Sequence, residues 1–316
     1  MRALVTGGAG FIGSHLAEAL AKRGAKVVVL DDLSGGSEAN LAWMRPNDGA
    51  EFVHGSAADA ALVKRLVAGC DWVFHEAALP SVPRSVAEPV LSNEQNLDAT
   101  LQLLVAARDA GVKRFLFASS SAIYGDSDVS PKHEALPPLP LSPYGLQKYA
   151  AERYGQLFHQ LYGQPTVALR YFNVFGPRQA FNSPYSGVIA KFCTAFINGE
   201  PPLIFGDGLQ SRDFTFIENV VAANLAAAEA PTHEVAGRVF NIACGNSVTL
   251  LDLVHDLGVV SGRMIEPDFQ PARLGDVKHS KADITAAQRA FGFTPKVAWL
   301  DGLRRTYEWY QTISER

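Results

Sequence analysis

The sequence predicts an α/β protein of the Rossmann type: a doubly wound parallel sheet joined to a smaller α+β substrate-binding lobe. Three observations lead there. Short β-branched runs alternate with amphipathic stretches through the first half of the chain, a glycine-spaced turn follows the first run, and proline and glycine become frequent after Asn173. Strand, helix, strand at this spacing implies parallel strands covered on both faces, with ligands at their carboxyl ends.

Taken in order, residues 3–6, 26–30, 72–75, 114–118 and 167–171 read as strands, and residues 14–23, 60–68 and 93–110 as helices between them. Beyond Asn173 the helices shorten, and Gly176-Pro177, Pro201-Pro202, Gly206 and Gly208 mark a different architecture. Residues 211–230 are expected to return to the first domain. The expected division is therefore 1–173 plus about 211–245 for a dinucleotide-binding domain, and about 174–210 plus 246–316 for the lobe.

A chain of 316 residues with 47% hydrophobic content can bury a large core. Its net charge of −4, with no basic stripe, argues against nucleic acid or an anionic membrane as a partner. No apolar run reaches the ~18 residues of a membrane span. The first strand begins at once, without a charged-then-apolar leader, so a cytoplasmic location is expected. Cys70, Cys193 and Cys244 read as small buried residues of a reducing compartment, and no Cys/His spacing suits a metal.

Thr6-Gly7-Gly8-Ala9-Gly10-Phe11-Ile12-Gly13 closes the first strand and opens a helix. Residues without a Cβ allow the tight turn and let backbone N–H groups approach a pyrophosphate, which the helix N-terminus then faces. The second strand ends in Asp31-Asp32, with Asp31 18 residues past Gly13. An acid there accepts from the adenosine ribose hydroxyls and repels a 2′-phosphate, which favours NAD over NADP.

Tyr144 and Lys148 stand four apart, behind a proline suited to a helix start, so a helix would set both on one face. A phenol needs a nearby cation to act as a base near neutrality, because its reference pKa is near ~10. Ser119-Ser120-Ser121 ends the fourth of these strands, where a parallel sheet presents catalytic groups. A serine hydroxyl there can share a sugar oxygen with Tyr144 and pass its proton on.

In these features the chain resembles the extended short-chain dehydrogenase/reductase family, in particular its nucleotide-sugar 4-epimerases. The resemblance runs over nearly the whole chain, including His75-Glu76-Ala77-Ala78, Arg170-Tyr171-Phe172-Asn173-Val174-Phe175-Gly176-Pro177-Arg178-Gln179, Ser211-Arg212-Asp213-Phe214 and Gly275-Asp276-Val277. It implies that Tyr144 is the acid/base, that Lys148 binds the nicotinamide ribose and tunes Tyr144, and that Ser120 is the hydroxyl partner, with Ser121 an alternative. It further implies NAD contacts from Gly7, Gly10, Phe11, Ile12, Gly13, Asp31, Asp32, Ser34, Gly35, Ser56, Ala57, Ala77, Ala78, Leu79, Asn96, Ser119, Tyr171 and Phe172. The nucleotide sugar would lie against Pro80, Ser81, Asn173, Gly187, Val188, Lys191, Phe192, Leu203, Phe205, Arg212, Arg273, Asp276 and Ser280. Guanidinium groups suit a diphosphate, because their planar fork matches its oxygens. The chain departs from the family at Gly55-Ser56-Ala57-Ala58, where an aspartate commonly meets the adenine amino group.

Two comparisons narrow the expected reaction. No acid follows Ser120 in Ser121-Ala122-Ile123, which disfavours dehydration. Ser280 occupies the position that gates the sugar pocket in these epimerases, and a small gate leaves room for a 2-acetamido group. The stretch Ala78-Leu79-Pro80-Ser81-Val82-Pro83-Arg84-Ser85 also resembles epimerases that accept UDP-N-acetylhexosamines. The resemblance thus implies interconversion of UDP-GlcNAc and UDP-GalNAc, with UDP-Glc and UDP-Gal as further candidates. A UDP-glucuronate 4-epimerase, with Arg84 meeting the carboxylate, is the nearest rival; a net dehydrogenase and a non-catalytic dinucleotide-binding sensor are more distant ones. A homodimer is expected through a four-helix interface, using Leu97, Leu101, Leu104, Val105, Tyr149, Tyr154, Leu157 and Leu161.

Overall fold

A parallel sheet organises the molecule, seen in a computed structural model that describes residues 1–45, 49–180, 187–272 and 278–314. Strands β1 (Arg2–Thr6), β2 (Lys26–Asp31), β3 (Ala50–His54), β4 (Trp72–His75), β5 (Arg114–Ser120) and β6 (Thr166–Tyr171) are joined by a seventh, Arg238–Ile242. Their order is Arg238–Ile242, β6, β5, β4, β1, β2, β3, with every neighbouring pair parallel. The order reverses direction at β1, which lies between β2 and β4, and a doubly wound sheet takes its ligands in the crevice outside the carboxyl ends of the strands at that point. The five expected strands are present. The two that the sequence reading passed over are the outermost, where alternation and burial leave the weakest pattern.

Helix α1 (Phe11–Lys22) and helix Ile217–Glu229 cover one face of the sheet; α2 (Ala60–Val67), Ala99–Asp109 and Pro143–Tyr162 cover the other. Local chemistry sets their ends. Asp59 caps α2 by accepting from the N–H groups of Ala61 and Leu62, both at 3.0 Å. Ser142 accepts from Gly145 N at 3.1 Å, Pro143 occupies the first turn, and Gly163 ends the same helix with φ of 68°. The single helix expected over residues 93–110 is instead Pro89–Asn93, a π turn Glu94–Asp98, and Ala99–Asp109. Such a turn inserts one residue per cycle and redirects a side chain; here it buries Asn96.

The smaller lobe contains a three-stranded sheet in which Ser211–Arg212 pairs antiparallel with Val248–Thr249 and parallel with His279–Ser280. Ser211 therefore belongs to the lobe, and the chain returns to the main sheet only with helix Ile217–Glu229, six residues later than expected. One apolar core runs from Leu16 on α1 through Phe175 and Phe196 to Leu253 and Leu303, so the two parts share an interior. No helix among the described residues is long and apolar enough to cross a membrane.

Beneath β5 a charged pair is fully enclosed. Arg170 Nε and Nη2 donate to the two oxygens of Glu152 at 2.8 and 2.7 Å, and Ser119 Oγ donates to Glu152 Oε1 at 2.5 Å. The Arg170 guanidinium also lies 4.8 Å from the centre of the Tyr124 ring. This network joins β5 and β6 to helix Pro143–Tyr162 directly under the candidate catalytic residues.

Candidate active site

The turn after β1 has glycine where nothing else fits. Gly7 has φ of +65°, and a Cβ there would stand 2.6 Å from Ala77 N; at Gly13 it would stand 2.2 Å from the Gly7 carbonyl oxygen. A Cβ at Gly10 would meet only the Gly7 carbonyl group. The N-terminus of α1 has no side-chain cap and no acid in its first turn. Its N–H groups and positive dipole end thus suit a pyrophosphate. Asp31 has a role that the sequence reading missed: it is buried, and its carboxylate accepts from Ala9 N at 3.0 Å and Leu33 N at 2.8 Å, tying the glycine turn to the end of β2. Asp32 is more open, and accepts from both the N–H and the hydroxyl of Ser34. Ser34 and Gly35 are exposed beside it. Ser56 Oγ is turned back to accept from Ala58 N at 3.1 Å, and Ala57 is buried.

At the other end of the crevice, Ser120, Tyr144 and Lys148 come together. Of the three serines, it is the Ser120 side chain whose influence reaches the Tyr144 phenol, pulling it down against burial. Ser120 Oγ is held in place by accepting from Ala122 N at 3.1 Å. Ser121 instead begins the short helix Ser121–Tyr124. Ser119 points through the opposite face to Glu152, so its hydroxyl is not available to a cofactor; any contact falls to its backbone. Lys148 is buried, donates from Nζ to Ala118 O at 2.9 Å, and stands 5.9 Å from the Tyr144 ring centre.

Burial lowers the Lys148 ammonium to about 8, against the opposing pull of Glu76 and Glu152. Burial also pushes the Tyr144 phenol up, the nearby Ser120 side chain pulls it down, and the Glu76 carboxylate adds to the rise. The lowered phenol expected from sequence is therefore not produced by the chain's own groups.

The strand end His75-Glu76-Ala77 forms the floor between these two regions. His75 Nε2 faces Thr100 Oγ1 at 2.9 Å, and Thr100 donates to Asn96 O at 2.6 Å; His75 Nδ1 faces Thr6 Oγ1 at 2.7 Å. Because Thr100 spends its proton on Asn96, Nε2 carries the His75 proton and Nδ1 accepts from Thr6. Burial holds this imidazole neutral, at about 3. Asn96 reads the backbone of Leu79 in both directions, accepting from its N–H at 2.7 Å and donating to its carbonyl at 3.2 Å. It thereby sets the path of Ala77, Ala78 and Leu79 rather than lying open to a ligand. Glu76, quoted above only within its motif, lies inside the cluster: Tyr171 donates to its Oε1 at 2.9 Å.

On the lobe side, Asn173, Gly187, Lys191 and Leu203 are exposed, and Val188, Phe205, Arg212 and Ser280 are half-buried. Ser280 pairs with Arg212 across adjacent strands. Pro80 is exposed, and Ser81 Oγ caps the helix Val82–Ala87 by accepting from Arg84 N at 3.1 Å. Phe172 and Phe192 have their rings buried in the core, so any contact with a ligand falls to their backbone. Arg273 and Asp276 lie outside the described residues. Sequence reasoning also missed Ser85, whose hydroxyl accepts from Tyr144 N at 3.2 Å and steadies the start of the catalytic helix.

Comparison with known proteins gives a consistent result. The family model described as the NAD dependent epimerase/dehydratase family matches residues 3–243. A UDP-glucose 4-epimerase of Mycolicibacterium smegmatis is 38% identical, with all of both chains covered. The structure of a UDP-N-acetylglucosamine 4-epimerase from Methanobrevibacter ruminantium M1, in complex with UDP-N-acetylmuramic acid, is 42% identical with a TM-score of 0.93, covering 100% of this chain and 99% of that one. A UDP-glucuronic acid 4-epimerase from Bacillus cereus, solved with UDP-glucuronic acid and NAD, is 32% identical with a TM-score of 0.90, covering 99% and 100%.

Proposed function

The chain belongs to the NAD dependent epimerase/dehydratase family, and we propose that it interconverts UDP-GlcNAc and UDP-GalNAc by inverting C4, with UDP-Glc and UDP-Gal as further substrates. It is an isomerase, a UDP-sugar 4-epimerase that uses NAD. NAD, when bound, takes a hydride from the sugar carbon and returns it to the opposite face.

The chain's own groups account for the rest. Gly7, Gly10 and the first-turn N–H groups of α1 receive the pyrophosphate, and Asp32 receives the adenosine ribose. Tyr144 takes the C4 hydroxyl proton at its phenolic oxygen, with Ser120 orienting the same oxygen. Lys148, anchored on the Ala118 carbonyl, sits one turn along to hold the nicotinamide ribose. Its charge and that of the oxidised ring oppose the rise that burial imposes on Tyr144. Arg212 and Arg273 hold the diphosphate, so the sugar is tethered at one end and free to turn over between the two hydride transfers.

The substrate choice rests on Ser280. Ser280 pairs with Arg212 across adjacent strands, and a side chain as small as a hydroxymethyl at that position would leave space beside the sugar for an N-acetyl group. The glucuronate reading is the second one: its motivating residue, Arg84, is partly exposed and pairs with Glu88 through contacts of 3.4 and 3.3 Å. A coupled assay on UDP-GlcNAc, UDP-Glc and UDP-glucuronate tests the choice: turnover confined to UDP-glucuronate, or to UDP-Glc, would refute it. Ser280→Tyr is expected to reduce kcat/KM for UDP-GlcNAc by about 10–200-fold, the range within which pocket size discriminates, and to change UDP-Glc by less than about threefold.

The protein is proposed to be a cytoplasmic homodimer. Helices Val82–Ala87, Pro89–Asn93 and Pro143–Tyr162 leave Val86, Val90, Leu146, Leu157 and Leu161 exposed, the kind of apolar surface a partner copy covers. Leu104, expected at the interface, is instead buried against the sheet. Leu146 stands between Tyr144 and Lys148 in sequence but faces outward, 57% exposed. Leu146→Glu is expected to convert the dimer to monomer in light-scattering chromatography; an unchanged mass would count against this interface.

A further inference from the structure

Glu76 is a half-buried acid that the proposed mechanism does not use. It follows the last residue of β4, and β4 lies between β1 and β5. A dinucleotide that reaches from the glycine turn at the end of β1 to Tyr144 at the end of β5 must cross it. The Glu76 N–H donates to Thr6 O at 3.1 Å, which fixes the residue at that crossing. His75 faces the opposite side of the sheet, towards Thr100. The Glu76 side chain alternates to the face occupied by Tyr171 on β6 and Asn224 on helix Ile217–Glu229.

One carboxylate oxygen, Oε1, accepts from Tyr171 at 2.9 Å, and Asn224 Nδ2 donates to the Tyr171 hydroxyl at 2.8 Å behind it. The other, Oε2, is buried and has no hydrogen-bond partner among the described residues. The titratable groups coupled to Glu76 from neighbouring elements are the Lys148 ammonium and the neutral Tyr144 phenol on helix Pro143–Tyr162, and the neutral Tyr171 phenol on β6. A carboxyl group with one oxygen unsatisfied, set against a lysine and two phenols, is costly to maintain for packing alone.

We propose that Glu76 is an electrostatic regulator of the bound nicotinamide: its carboxylate stabilises the cationic, oxidised ring relative to the neutral, reduced ring. The inference rests on the epimerase reading above. No bond is made to Glu76. When the hydride, with its two electrons, leaves the sugar carbon for the ring and the hydroxyl proton passes to Tyr144, the ring loses its positive charge and Glu76 loses its attraction to it. The carboxylate therefore opposes accumulation of reduced cofactor and keeps the enzyme poised to return the hydride. Coupling of this kind is reciprocal, so the oxidised ring holds Glu76 ionised. Burial raises the carboxyl to about 7, with Tyr171 and Lys148 pulling it down, so its charge changes within the working range.

The test uses the purified holoenzyme with saturating UDP-GlcNAc and reads the fraction of reduced cofactor from its near-ultraviolet absorbance, across a pH series on both sides of neutrality. Glu76→Gln keeps an oxygen for Tyr171 and removes the charge. It is expected to raise the ratio of reduced to oxidised cofactor about tenfold above neutrality, the equivalent of one pKa unit of coupling. Below the Glu76 pKa the wild type is itself uncharged, so the two proteins converge. Tyr171→Phe removes the donor to Oε1, raises the carboxyl's affinity for its proton, and moves the pH at which wild-type-like behaviour appears upward; it carries the test if the glutamine variant does not fold. Equal reduced fractions in wild type and Glu76→Gln at every pH, with epimer still formed, overturn the inference and leave the function standing. Absence of both epimer and reduced cofactor in the wild type, with any UDP-sugar, removes both.

Discussion

Tyr144→Phe is expected to lower kcat by about 10²–10⁴, the usual contribution of a positioned acid–base group. The substitution removes one oxygen and leaves the ring, whose backbone N–H is held by Ser85 and whose helix is capped by Ser142. Cofactor content and substrate KM should change little, because neither the glycine turn nor the diphosphate contacts involve the phenol. Ser120 remains, but its hydroxyl is already an acceptor for Ala122 N, and an alcohol is a far weaker acid–base group than the phenol it would replace. The expected result is loss of turnover with NAD retained, measured by initial rate and by cofactor released on denaturation. A loss under about tenfold would mean that another group takes the proton.

Arg170→Met is expected to destabilise the fold by about 3–5 kcal/mol, the cost of leaving one member of a buried ion pair uncompensated. Both side chains are nearly inaccessible, 4% for Arg170 and 2% for Glu152, so water cannot take the place of the lost partner. The guanidinium supplies two of the three hydrogen bonds that the Glu152 carboxylate receives; only the Ser119 hydroxyl would remain. The double variant Arg170→Met with Glu152→Leu is expected to recover most of the stability, since an apolar pair of similar volume often replaces such a bridge without loss. Chemical denaturation of the two variants beside the wild type makes the comparison. A single variant as stable as the wild type would contradict the account of this network.

Much of the site was legible because its chemistry lies in short contiguous runs. The glycine spacing of Gly7, Gly10 and Gly13, the Tyr144–Lys148 interval and the serines ending β5 each encode local geometry, and the structure brings them into one crevice. What the sequence did not disclose is direction. Ser119 and Ser120 are chemically identical neighbours, and a strand sends them to opposite faces; only the position of Glu152 reveals which one faces the cleft. Asp31 looked like a ribose ligand, yet its oxygens accept from backbone N–H groups of residues 9 and 33, one far away in sequence. Phe172 and Phe192 sit in matching motifs but are turned into the core. Glu76 was unremarked because its partner Tyr171, and Asn224 behind Tyr171, come from a strand and a helix some 95 and 148 residues away. The edge strand Ala50–His54 was missed because Glu51 and His54 interrupt its apolar pattern.

The central claim is that the Ser120–Tyr144–Lys148 cleft moves one hydride off C4 of a UDP-N-acetylhexosamine and returns the same hydride. UDP-GlcNAc carrying deuterium at C4, incubated with the protein alone and followed by proton NMR, tests it most directly. The account predicts that UDP-GalNAc forms with deuterium retained at C4 and none released to water. Epimer that has lost its label, or no epimer from this substrate, would contradict it.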